Sequence, residues 1–209
     1  MPGPALSTDA LVLLARPPAE SFQTLTVFSA EHGALTALQR VPKKFPPSRL
    51  VLALFDEAAL TLEGPRSGGG LWFIKEARLL ARPEGIGRDY AALRRASALA
   101  ALAARNPVPA ESRAAVAALL RTAFAAFASG APPDIVWLKS LWRFARDEGH
   151  PLRQQWLPSL PVAQRAEVER LLRTPLETLT GDQTAATAAA DLARRLETYL
   201  RAHAEMILE

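Results

Sequence analysis

Residues 23–41 read QTLTVFSAEHGALTALQRV. The first eight positions alternate, with Leu25 and Val27 on one face of an extended chain and Thr24 and Thr26 on the other. Glu31-His32-Gly33 supplies a tight turn in which the glycine is free to take a positive φ. ALTALQRV (34–41) then supplies the partner strand. This hairpin sets the class of the surrounding sequence. ALVLLAR (10–16) is a short apolar run ended by Pro17-Pro18. LVLALFDEAALTLEG (50–64) carries a polar break at Asp56-Glu57, which predicts a strand that bends or bulges. PRSGGG (65–70) reads as a loop, and LWFIKEARLLAR (71–82) as the last of five strands. Five strands with short connections suit a small barrel.

After PEGIG (83–87) the pattern changes to Ala- and Leu-rich helices. RDYAALRRASALAALAAR (88–105) stops at Asn106-Pro107, and AESRAAVAALLRTAFAAFAS (110–129) stops at Gly130 with Pro132-Pro133 beyond it. PDIVWLKSLWRFARDEG (133–149) starts with proline and ends with glycine. VAQRAEVERLLR (162–173) ends before Pro175, and a long helix over 182–207 puts Leu192, Leu196, Tyr199 and His203 on one stripe. The expectation is an α+β protein of two domains, a β domain over residues 1–84 and an all-α domain over residues 85–209.

At 209 residues and 49% hydrophobic content the chain can bury a core, and 22% charged residues is too few for a disordered chain. The net charge is +4, from 25 Lys and Arg against 21 Asp and Glu. Residues 1–84 hold nine cations against eight acids, a net +1. Any nucleic-acid role therefore depends on where the cations sit and not on their total. There is no cysteine, which excludes disulfides, thiolate zinc sites and a cysteine nucleophile. MPGPALSTDALVLLARPP (1–18) has no basic leader, and its apolar run is too short for a signal core or a membrane span. The expectation is a soluble, cytoplasmic protein that does not enter a membrane.

Catalytic patterns are missing from the sequence. His32, His150 and His203 lie far apart and lack neighbours at metal-ligand spacing. There is no G-x-S-x-G, no Walker A loop and no complete G-x-G-x-x-G. SGGG (67–70) is followed by no helix bearing a lysine, so it reads as a turn and not as a phosphate cradle. Asp147-Glu148 stands at a helix end beside Arg146, where solvation accounts for it. The chain is expected to be no enzyme and to need no metal, cofactor or small-molecule substrate.

Two features carry binding chemistry instead. RVPKKFPPSR (40–49) collects Arg40, Lys43, Lys44 and Arg49 with no acid and three prolines. Proline removes amide donors and fixes φ, so the segment is expected to project as a loop. Four cations on one loop repel each other until a polyanion neutralises them and releases its counterions. Phe45 among them offers a stacking face for an unpaired base. The alternative is a solvated loop with Phe45 tucked back onto the barrel. The second feature is the spacing i, i+4, i+7 of Lys139, Arg143 and Arg146, which makes a basic seam on a helix otherwise rich in apolar residues. Such a seam suits an acidic-hydrophobic peptide tail; it also suits the solvated edge of a core helix.

The ordered series ALVLLARPPAESFQTLTVFSAEHGALTALQRVPKKFPPSRLVLAL (10–54) and LWFIKEARLL (71–80) resembles the bacterial recombination mediator RecO family. Glu20-Ser21, His32-Gly33, Ser48-Arg49 and Glu76-Ala77 fall at positions characteristic of that family. WLKSLWRFARDEGHPL (137–152) and LARRLETYLRAHAEMIL (192–208) resemble its helical segments, so the similarity spans most of the chain. The resemblance implies an N-terminal five-stranded OB-fold β-barrel followed by an all-α helical domain. It implies binding of single- and double-stranded DNA, annealing of complementary strands, and work with RecR and the single-strand-binding protein tail in loading RecA. It places Arg40, Lys43, Lys44 and Arg49 where the family's barrel carries DNA-contacting cations. Two departures stand out. The cysteine-rich zinc module of many members is missing, HPLRQQWLPSLP (150–161) running directly into the next helix, and Pro42 replaces a glycine region. A protein-interaction adaptor that keeps the fold but binds DNA weakly or not at all is the alternative.

Overall fold

The structure, a computed structural model, describes residues 3–19, 21–41, 50–65, 70–204 and 206–208. It is α+β, with five strands followed by seven α-helices among the described residues. Two compact units form, Met1–Pro83 with Ala103–Ala117, and Glu84–Leu102 with Ala118–Glu209.

In the first unit the strands are β1 (Ala5–Ala15), β2 (Phe22–Ser29), β3 (Gly33–Arg40), β4 (Glu57–Glu63) and β5 (Leu71–Ala81). They pair in the order β1-β2-β3-β5-β4, and β4 returns to β1, so the sheet closes on itself. All neighbours are antiparallel except β3 and β5, which run parallel. The expected alternation holds in β2, where Leu25 and Val27 are fully buried. They pack in one core with Ala10, Val12, Leu60 and Leu62. Each of the valine and leucine side chains contributes roughly 1.5–3 kcal/mol on burial.

Two strands differ from the sequence expectation. β1 begins at Ala5, ahead of its apolar run. Ala5–Leu11 pairs with β4 and Ala10–Ala15 with β2, with an irregularity between Val12 and Leu14. The two partners take successive stretches of the strand, so it is longer than either pairing alone, and the polar Ser7, Thr8 and Asp9 hid the extra length.

The second difference concerns residues 50–56, which form no strand; β4 begins only at Glu57. The polar break is a turn anchored by the buried Asp56. Ala53 N donates to Asp56 Oδ2 at 2.8 Å, and the Arg82 guanidinium donates to both Asp56 oxygens at 2.8 and 2.5 Å. Phe55 takes a φ of 72°, rare for a side chain of that bulk. Its N–H donates to Val12 O at 2.9 Å and its ring is buried, which offsets the strain.

The β2–β3 turn is built as expected around Gly33, at φ 71°. Glu31 N and His32 N both donate to the buried Ser29 Oγ. Arg113 Nη1 donates to Glu31 O at 3.0 Å, and a Cβ at Gly33 would lie 3.0 Å from Arg113 Nε. Glycine suits this turn chiefly for its backbone angle; a side chain there would also press on the Arg113 side chain, which would have to shift by a few tenths of an ångström.

The helices are α1 (Tyr90–Arg105), α2 (Arg113–Ala128), α3 (Pro133–Asp147), α4 (Leu157–Ser159), α5 (Val162–Arg173), α6 (Leu176–Leu179) and α7 (Gln183–His203). In the second unit α3 packs on α7. α3 buries Trp137, Leu138, Leu141, Trp142 and Phe144; α7 buries Ala185, Ala189 and Ala193 at four-residue spacing, so α3 can approach closely. Asp182 caps the start of α7 by accepting from Ala185 N at 2.9 Å. A π-helical turn, Leu152–Trp156, follows α3 and sets Trp156 against Trp142 at 5.8 Å between ring centres. Among the described residues no helix is long and apolar enough to cross a membrane.

Candidate nucleic-acid interface

Arg40 ends β3 with its side chain exposed, and that side chain has no hydrogen-bond or ion-pair partner among the described residues. Lys43, Lys44, Phe45 and Arg49 lie outside the described residues. The two ends of their segment are held together. Gln39 is buried at 5% exposure; its Nε2 donates to Leu50 O and its Oε1 accepts from Leu52 N, both at 3.0 Å. A buried amide with both ends satisfied makes a firm clamp. The chain therefore leaves β3 at Arg40 and comes back beside it at Leu50.

Arg40 belongs to a larger surface. It stands opposite Phe22 in the β2–β3 pairing, and Leu38 stands opposite Phe73 in the β3–β5 pairing. Because alternate residues share a face, Phe22, Arg40, Leu38 and Phe73 lie on one side of the sheet. They line an open depression of about 490 Å³, together with Glu63 and Lys75. Lys75 Nζ is 2.5 Å from Glu63 Oε2. A second hollow of about 270 Å³ shares Arg40 and Lys75 and adds Gln39 and Leu50.

Neither Phe22 nor Phe73 was expected at a site. The signal was present: Phe22 has the parity of Thr24 and Thr26 on the solvent face, and Phe73 alternates with the partly buried Trp72 and Ile74. An aromatic on the polar side of a strand needs a reason. Only the pairing of β3 with β5 brings the two phenylalanines onto one face.

The helical seam is divided. Lys139 Nζ donates to Thr174 O at 2.6 Å and Leu172 O at 3.3 Å, closing carbonyls at the end of α5. Desolvation pushes its ammonium below the ordinary lysine value, and Glu177 partly opposes that shift. Arg143 and Arg146 are about half exposed and share Asp147, at 3.6 and 2.6 Å. The outward-facing part of the seam is therefore two arginines around one carboxylate.

Elsewhere in the helical unit, Arg95 is 13% exposed and contacts Asp134 at 2.6 Å and Glu197 at 3.3 Å. Its guanidinium lies 5.7 Å from the Trp137 ring centre, and Trp137 Nε1 donates to Glu197 at 2.6 Å. His32 pairs with Glu31, His203 lies against Tyr199, and burial lowers the pKa of His150. Among the described residues no three His, Cys, Asp or Glu side chains come together as a metal-binding group. No protein-family model matches this chain, and no curated protein matches it in sequence.

Proposed function

We propose that this chain is a DNA-binding recombination mediator of the RecO type, which binds single- and double-stranded DNA, promotes annealing and helps load RecA. One observation carries most of the support: a closed five-stranded sheet with an exposed cation, Arg40, opposite one outward phenylalanine, Phe22, on the face that also carries a second, Phe73. Five-stranded Greek-key barrels of the OB type bind oligonucleotides on the face of strands 2 and 3. The order β1-β2-β3-β5-β4, with β1 shared between β2 and β4, supports an OB-fold reading. Mediation of this kind makes and breaks no covalent bond. It neutralises phosphates so that two polyanions approach, and its contacts are weak enough to release the product. The basic segment that follows Arg40 adds Lys43, Lys44 and Arg49 to that task.

The test is DNA binding followed by fluorescence anisotropy across a salt titration. Lys43→Glu with Lys44→Glu should lower affinity about tenfold or more and flatten the dependence on salt. Binding that is unchanged in both respects would rule the segment out.

The helical unit would dock the acidic tail of the single-strand-binding protein, or RecR, through Arg143 and Arg146. Charge reversal at Arg143 should weaken capture of that tail several-fold, on the order of 1 kcal/mol for an exposed pair. Capture by the variant at wild-type level counts against this dock.

A second reading is a protein-interaction adaptor with little DNA affinity. The Lys75–Glu63 pair favours it, because it offsets one of the two cations in the depression. Retention on heparin up to moderate salt supports the mediator, and flow-through supports the adaptor.

A further inference from the structure

We infer that the depression between Phe22 and Phe73 receives an unpaired nucleobase, so that this face selects single-stranded over duplex nucleic acid; the inference rests on the nucleic-acid reading above. The phenylalanines themselves point that way. Of the seven described, five are 5% exposed or less; Phe22 and Phe73 alone stand out, at 39% and 41%. Both line the same depression, one beside Arg40 and the other beside Leu38. Two outward aromatics on one concave face make a platform that accepts the π-face of any base.

Charge separates a base from a phosphate as the occupant. Glu63 lies within the depression and holds Lys75, so the interior offers no net positive charge from that pair. A phosphate there would meet a carboxylate. A neutral base would meet apolar rings and could donate an N–H to Glu63, as cytosine does to acidic side chains. Arg40, with no partner among the described residues, stands beside Phe22, where it suits the phosphate of the same nucleotide. The depression, at about 490 Å³, falls within the usual range for small-ligand sites. A duplex keeps its bases stacked inside and cannot offer one to a concave face without unstacking it.

The experiment compares Phe22→Leu and Phe73→Leu with the unmodified chain. The probes are a fluorescein-labelled thymidine homopolymer and a labelled duplex. Leucine keeps the apolar surface and removes the ring, and unchanged thermal melting shows that the fold persists. Each variant should bind the single strand about tenfold more weakly, with duplex affinity unchanged. A single strand carrying 5-iodouracil should cross-link to the peptides holding Phe22 or Phe73, mapped by mass spectrometry. Equal losses on both probes, no loss on either, or cross-links confined to other peptides would overturn the inference while leaving DNA binding intact. Failure of the unmodified chain to bind either probe would instead overturn the nucleic-acid reading itself.

Discussion

Arg82→Met should destabilise the sheet unit by about 3–5 kcal/mol. Asp56 has a fully buried side chain, and Arg82, 35% exposed, holds both of its oxygens. Methionine keeps much of the length and apolar stem of arginine but leaves a carboxylate in the interior with only the Ala53 amide among the bonds described above. An uncompensated buried charge is among the costliest single defects, far above the value of a surface pair. Arg82 also donates to Val51 O at 3.2 Å, so the loss should extend along residues 51–56. Amide hydrogen exchange read by mass spectrometry would localise it. Protection should fall first in 51–56 and the start of β4, and global unfolding should come at lower denaturant. A variant with wild-type protection there would show that Asp56 is accommodated without its cation. The functional consequence follows from the covalent path: residues 50–56 bring the chain back from the basic segment, so weaker anchoring should also reduce DNA affinity if that segment binds.

Arg95→Met should cost the helical unit somewhat less, about 1.5–3 kcal/mol, because its carboxylate partners are partly exposed. Arg95 lies between Asp134 of α3 and Glu197 of α7 and faces the Trp137 ring. Removing it leaves the half-buried Asp134 and the more deeply placed Glu197 without their shared cation and takes away the cation–π contact, worth roughly 1 kcal/mol by itself. Glu197 keeps the Trp137 indole N–H, so α7 remains tied to α3 by that bond. The expected readout is a lower denaturation midpoint with altered tryptophan emission, because Trp137, Trp142 and Trp156 all lie in this unit. Adding Glu197→Gln should recover part of the loss by removing one of the stranded charges. A single variant as stable as the parent would show that water reaches both carboxylates freely.

Much of the architecture was legible locally. Alternation in 23–30 marked Leu25 and Val27 as core, and Gly33 marked the turn. Stops at Gly130 and Gly149, both at positive φ, ended their helices as their residue type predicts. The α3 pattern announced a mostly buried helix, and its apolar residues are buried. What periodicity did not announce were partners distant in sequence. Asp56-Glu57 suggested a bent strand because nothing nearby announces Arg82, 26 residues on. Lys139 was grouped with Arg143 and Arg146 by helical spacing alone, yet it reaches carbonyls at the end of α5, 33 and 35 residues away.

The residues by themselves determined the β2–β3 hairpin, the main helices with their glycine stops, and which face of β2 and α3 goes inward. Those are consequences of side-chain periodicity and of glycine and proline geometry, which act over a few bonds. Tertiary structure alone decided that β1 serves two neighbours, that β3 lies parallel to β5, and that Phe22, Arg40 and Phe73 share a face. Periodicity states that a face is apolar and leaves open which partner covers it. Closing the sheet exhausts the available edges, and only then does a particular pair of phenylalanines remain uncovered.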